Sequence, residues 1–243
     1  MKVAILALLA ALAGQVVPAD ASAADKVTKE ALSSGGRARA YYLYVPGTVG
    51  ADTPAPLIVC LHGSGRNGSL LVDKWKDLAK KEGIILAGPD SIDSQEWNLE
   101  ADGPDFIRDV VAAVSAKHPV DAKRVYVFGH SAGAVYGLVL ALIESETYAA
   151  VAVHAGALPA EFQALADRAT RKTPVAIWVG TNDPFFPVAA VRATRDALAL
   201  HGITVQVTEI AWHTHDYYGR SSEINKAAWA FLKQHALTPA PVF

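Results

Sequence analysis

VYVFGHSAGAVYG, residues 125–137, joins an apolar run to a small-residue turn with a serine at its centre. Val125 to Phe128 read as a buried strand, and the residues after Gly133 read as an apolar helix. Between them, Gly129-His130-Ser131-Ala132-Gly133 has the pattern Gly-x-Ser-x-Gly. A turn this sharp brings the residues two before and two after the serine into close approach, so both must be small. The serine is then held in a strained backbone conformation. Its Oγ is lifted above the sheet, at the amino end of a helix whose dipole favours developing negative charge. The bare pentapeptide is a weak pattern. A strand before it and a helix after it make it a nucleophile elbow, against the plainer alternative of a glycine-rich turn with an idle serine. His130, although adjacent, points the other way along the strand end and is expected to pack beneath the turn.

Working outward, the same design recurs. ARAYYLYVP, ending at Pro46, has the aromatic character of a strand. Near-continuous apolar runs of strand length follow at 55–63, 83–90, 124–130, 148–156, 174–180 and 203–210. Runs of this kind belong to strands covered on both faces, as in a parallel sheet. Phe106, Ile107, Val110, Val111 and Val114 recur at helical spacing. Leu138, Leu140 and Leu142 lie in an apolar helix, and Val188–His201 and Ser222–His235 complete the helical set. Strand–helix alternation predicts an α/β fold with a mostly parallel central sheet and helices on both faces.

In such sheets ligands gather beyond the carboxyl ends of the strands, which directs attention to the residue after each run. GTNDPFFP follows the 174–180 run and offers Asp183, a carboxylate able to hold an imidazole in one tautomer; Asn-Asp-Pro also favours plain turns. The order Ser, then Asp, then His along the chain favours the catalytic assignment. AWHTHDYY follows the last strand and offers two histidines, His213 and His215, between which spacing alone does not choose. His62-Gly63-Ser64-Gly65 follows the 55–61 run. The backbone N–H groups of Ser64 and of Ala132, the residue after the nucleophile, are the expected oxyanion-hole donors.

Composition bounds the rest. The chain has 243 residues, 51% of them apolar, with a formal net charge of −2 and no Lys/Arg block. Nucleic-acid binding is not expected. The opening MKVAILALLAALAGQVVPADASAADK places one lysine before an apolar run from Val3 to Ala13 and Ala21-Ser22-Ala23 after it. That is the pattern of a secretory leader cleaved near Ala23, and the run is shorter than the roughly 20 apolar residues of a spanning helix. Residues 1–23 are therefore expected to be a signal peptide, residues 24–243 a single catalytic domain, and the mature protein secreted or periplasmic without a membrane span. Cys60, the one cysteine, lies in an apolar run and reads as packing. No Cys/His cluster has metal-site spacing, so neither a metal nor an organic cofactor is expected.

The stretches LHGSGRNG, HPVDAKRVYVFGHSAG, AAVAVHAG and GTNDPFFP together resemble the α/β-hydrolases of the polyhydroxybutyrate depolymerase and feruloyl esterase group, over roughly Tyr41 to His235. HTHDYY resembles the segment of esterase D relatives in which the catalytic histidine directly precedes a small polar residue and two tyrosines. The resemblance implies that His215, and not His213, is the base. Many depolymerases carry cysteines in the early loop and Gly-Gly after the nucleophile motif. Ser64 and Gly133-Ala134 stand at those places here, which favours a soluble ester over a solid polyester.

The reading that follows is a serine carboxylic-ester hydrolase with Ser131, Asp183 and His215 as its triad, acting on a small or oligomeric ester. Phenolic esters stand slightly ahead of short hydroxyalkanoate esters. Trp97, Phe185, Phe186, Trp212, Tyr217 and Tyr218 are candidates to line an acyl pocket or a sugar platform, or to serve as ordinary packing. The rivals are a serine peptidase of the same fold, disfavoured by single-domain length, and a catalytically idle α/β-hydrolase used for binding.

Overall fold

A computed structural model describes residues 25–238. The expected leader lies outside these residues. The chain opens with a hairpin, β1 (Val27–Ser34) and β2 (Arg37–Tyr44). Its two-residue connection is Gly35-Gly36, with φ of 55° and 74°, the backbone that a tight hairpin requires and that glycine adopts at no steric cost. Then come β3 (Ala55–Leu61), α1 (Gly68–Glu82), β4 (Ile85–Pro89), α2 (Pro104–Lys117), β5 (Val120–His130) and α3 (Ala132–Ile143). They are followed by β6 (Ala150–His154), the single turn α4 (Ala160–Gln163), β7 (Val175–Gly180), α5 (Val188–Leu200), β8 (Val205–Ile210) and α6 (Tyr217–Leu232).

The eight strands form one sheet in the order β1-β2-β4-β3-β5-β6-β7-β8. From β4 to β8 every neighbouring pair is parallel; β2 pairs antiparallel with both β1 and β4. Side chains alternate across the pleat, so each central strand feeds two cores. Leu57, Val59, Leu61, Val125, Val127, Val151 and Val153 pack with α2, α3 and α5. Ile58, Cys60, Tyr126, Phe128, Ala150 and Ala152 pack with α1 and α6 on the other face. Burial on both faces explains the continuous apolar runs, and each fully buried Leu, Val or Phe side chain contributes about 1.5–3 kcal/mol.

Four features differ from the sequence reading. β1 was not anticipated: VTKEALSS is an edge strand with only one covered face, so its charged residues mask the strand pattern. α1 was not anticipated either. It begins at Asn67, whose side chain accepts from the Leu70 N–H, and ends on Gly83 at φ 68°, a standard cap at each end. β8 is covered on alternate residues rather than continuously, because it is the outer strand. In addition, α6 starts at Tyr217, five residues earlier than Ser222, since Asp216 caps it by accepting from the Gly219 N–H at 3.2 Å. The C-terminal ends of β3, β5, β6, β7 and β8 and the loops after them therefore converge along one edge, which is where the candidate residues lie.

Candidate active site

The turn between β5 and α3 has no room for larger residues. A Cβ on Gly129 would sit 2.2 Å from the Gly133 carbonyl oxygen, and one on Gly133 would sit 2.1 Å from that of Leu61. Ser131, between them, has φ 56° and ψ −118°, a conformation that costs a non-glycine residue of order 1–3 kcal/mol and persists only where the surroundings over-determine it. Here its N–H donates to the His154 carbonyl at the end of β6 (3.1 Å), and its own carbonyl accepts from the Ala134 and Val135 N–H groups.

His215, in the loop between β8 and α6, reaches Ser131. Its Nε2 lies 2.9 Å from Ser131 Oγ and its Nδ1 2.9 Å from Asp183 Oδ2. Asp183 follows β7, and its other oxygen accepts the N–H groups of Phe185 (2.9 Å) and Phe186 (3.0 Å). The carboxylate side chain has no solvent exposure, so these two donors orient it and compensate its charge in a place water does not reach. The structure thus brings Ser131, Asp183 and His215 together in hydrogen-bonded sequence, with His215 half-buried. His213 turns away: its Nε2 is 3.1 Å from His154 Nε2. His130 packs behind the elbow, its ring 5.0 Å from that of His215 and 5.2 Å from that of Tyr217.

The early loop passes beside the serine. A Cβ on Gly63 would stand 3.1 Å from Ser131 Cβ. Among the described residues neither the Ser64 nor the Ala132 backbone N–H has a hydrogen-bond acceptor; Ala132 opens α3, where such free donors are intrinsic to the helix end. Trp97, expected only as pocket lining or packing, and two serines the sequence did not single out hold this loop. Trp97 Nε1 donates to the His62 carbonyl at 2.9 Å, the Ser91 N–H donates to His62 Nε2 at 3.2 Å, and the Gly65 N–H donates to the Ser94 carbonyl at 2.7 Å. The segment 90–103 that carries these residues is organised by Asp102, buried with Arg39 at 2.6 Å and accepting the Ile92 and Asn98 N–H groups. Nothing in the local pattern around Arg39 or Asp102 marks them, since they meet across 63 residues.

The aromatic candidates divide. Phe185 packs edge-on against the His215 ring at 4.8 Å and Phe186 stacks on it at 5.8 Å. Trp97 stacks on Tyr136 at 5.2 Å and flanks His62, a supporting position. Tyr217 is fully buried in the first turn of α6, donating to Asn225 Oδ1 at 2.7 Å; it is core and lines no pocket. Trp212 is 84% exposed at φ 59°. Cys60 is completely buried, and burial pushes its thiol up, which leaves it without nucleophilic character. Among the described residues no group of three or more His, Cys, Asp or Glu side chains is placed to hold a metal ion, and no helix is long and apolar enough to cross a membrane.

Similar molecules are known in three dimensions. A thermostable esterase superposes with a TM-score of 0.68 at 19% identity, over 88% of this chain and 64% of its own, so the chain spans less than two thirds of that protein. A fluorophosphonate-binding serine hydrolase of Staphylococcus aureus gives 0.73 at 16% identity, over 85% of this chain and 98% of its own. A ferulic acid esterase of Anaeromyces mucronatus gives 0.67 at 16% identity, over 84% and 89%. At these identities the likeness is one of fold, the α/β-hydrolase fold. No curated protein matches in sequence. The phospholipase/carboxylesterase model, by contrast, matches residues 90–235, which include the elbow, the acid loop and both histidines. The chain belongs to the phospholipase/carboxylesterase family of α/β-hydrolases.

Proposed function

We propose that this protein is a serine carboxylic-ester hydrolase that works through an acyl-enzyme, with Ser131 as nucleophile, His215 as general base and acid, and Asp183 as the group that orients His215. The observation that carries the reading is the single imidazole bridging Ser131 Oγ and the Asp183 carboxylate, at 2.9 Å on each side. His215 Nε2 accepts the Ser131 proton as Oγ attacks the ester carbonyl, and the resulting imidazolium is stabilised by Asp183. The tetrahedral oxyanion is received by the Ser64 and Ala132 N–H groups; loss of one such donor typically costs about 10²–10³ in turnover. Collapse expels the alcohol, which takes the proton from His215. Water then attacks the acyl-enzyme with His215 again as base, releasing the acid and restoring Ser131.

The exposed Phe185 ring, beside His215, offers an apolar face to the acyl or alcohol group. Esters of phenolic acids are favoured over short hydroxyalkanoate esters, in keeping with the ferulic acid esterase among the similar structures. The N-terminal leader pattern supports export, with the mature chain starting near Ala24. The test is a panel of p-nitrophenyl esters, methyl ferulate and acetylated xylan, run on the mature protein and on Ser131→Ala. Hydrolysis by the former and none by the latter is expected. A panel without turnover, or turnover retained in Ser131→Ala, overturns the proposal.

A further inference from the structure

Three buried imidazoles stand behind the proposed triad and take no part in it. His130 ends β5, His154 ends β6, and His213 lies in the loop before α6; their exposures are 5%, 0% and 6%. Each ring nitrogen of His154 meets one neighbour: Nδ1 is 3.1 Å from His130 Nδ1, and Nε2 is 3.1 Å from His213 Nε2. Burial holds His154 down to about 2 and His130 down to about 3, and it lowers His213 as well. All three are neutral under ordinary conditions. A neutral imidazole carries one ring proton, so His154 donates at one nitrogen and accepts at the other, and the three rings form one directed chain.

That chain joins the strand ends that carry the triad. His130 is the residue before the nucleophile, and the His154 backbone carbonyl also accepts the Ser131 N–H at 3.1 Å. His213 stands two residues before the base. Its carbonyl accepts the Asn182 N–H at 2.9 Å, next to Asp183. The contact between these two loops is close, since a Cβ on Gly180 would lie 2.1 Å from the His213 carbonyl oxygen. One side chain thereby connects the elbow to the acid loop and the base loop.

Resting on the triad reading above, we propose that His154 is a positioning residue: by bonding His130 and His213 at its two ring nitrogens, it sets the register between Ser131 and the loops that carry Asp183 and His215. Attack distances of about 3 Å are sensitive to this register, and a misplacement of about 1 Å can cost about 10²-fold in rate. His154 is completely buried and does not touch substrate, so the effect falls on kcat rather than KM.

The chain can be cut one link at a time. An asparagine amide occupies the place of Nδ1 and a glutamine amide that of Nε2. His154→Asn therefore keeps the His130 link, His154→Gln keeps the His213 link, and His154→Leu keeps neither. With a p-nitrophenyl ester, His154→Leu is expected to lose about 10²-fold in kcat and the two single-link variants about tenfold, with KM within about threefold of the parent. Because His154→Leu leaves two buried imidazoles unpartnered, His154→Asn and His154→Gln decide the matter if it does not fold. Assays at several temperatures below each melting transition separate positioning from stability. A positioning defect persists on cooling. Recovery of parental kcat on cooling, or parental kcat throughout in both single-link variants, overturns the proposal. Ser131→Ala runs alongside: if it is inactive while those variants are parental, only the role of His154 fails. If it keeps turnover, the triad reading fails and the role of His154 with it.

Discussion

The elbow at 129–133 and the loop at 211–216 both deliver a reacting side chain, yet they are built on opposite principles. The elbow is determined locally. Gly129 and Gly133 sit where any Cβ would overlap backbone within 2.2 Å, and the strain at Ser131 is held between a strand and a helix that are themselves core. The base loop has no such local logic. Trp212, His213 and His215 occupy three neighbouring environments: Trp212 is open to solvent, His213 is bonded to His154, and His215 is bonded to Asp183 and Ser131. Residues two apart in an extended loop project to the same side, so His213 and His215 are equivalent until partners from other strands choose between them. A nucleophile can be specified by a short motif, whereas a base is specified by what the fold places in front of it.

That contrast can be broken most sharply at His215. His215→Ala is expected to lower kcat for an ester substrate by at least about 10³-fold, because the serine loses its proton acceptor. Steady-state assays of the folded variant check this, and a smaller loss would remove the distinction between the two histidines. Next in size is the elbow itself. Gly133→Ala forces a Cβ into the Leu61 carbonyl and is expected to cost about 3 kcal/mol or more, beyond the usual range for overpacking because backbone must move. A melting or denaturant curve close to that of the parent would show the elbow to be looser than its geometry implies. His213→Ala is expected to cost only about tenfold in kcat, through the loop and not through proton transfer; a loss equal to that of His215→Ala would merge the two roles.

How much of this was legible follows the same division. β3, β5, β6 and β7 stood out because burial on both faces leaves an unbroken apolar run; Ser131 and Asp183 stood out because each follows such a run, and the histidine pair because it follows the last strand. β1 did not, since an edge strand with one covered face can carry Lys29 and Glu30. The start of α6 was misplaced because its cap, Asp216, sits directly after His215, and the loop and helix share the same residues. His154 itself drew no role: AAVAVHAG entered only as part of the family resemblance and reads as an ordinary strand end, and its partner His213 is 59 residues away. Asp102 and Arg39, which hold the segment beside the oxyanion loop, are hidden for the same reason.

A separate expected effect concerns stability and pH. His130 and His154 fall from an ordinary value of 6.5 to about 3 and about 2 when buried. The unfolded chain therefore binds protons below pH 6.5 that the folded chain does not. Keeping these rings neutral costs nothing above that pH, and stability is lost progressively as pH falls from 6.5 toward 3, because protons bind the unfolded chain first. Denaturant unfolding between pH 7 and pH 5 is expected to show this decline, and a flat profile would mean that the pair is not kept neutral.

Catalysis rests on Ser131 as the activated nucleophile, and the most direct measurement is the site of covalent capture by an organophosphonate. Peptide mass mapping after reaction is expected to place a single adduct on Ser131, with none formed in Ser131→Ala and labelling strongly slowed in His215→Ala. An adduct on another residue, or no reaction with the folded protein, would contradict it.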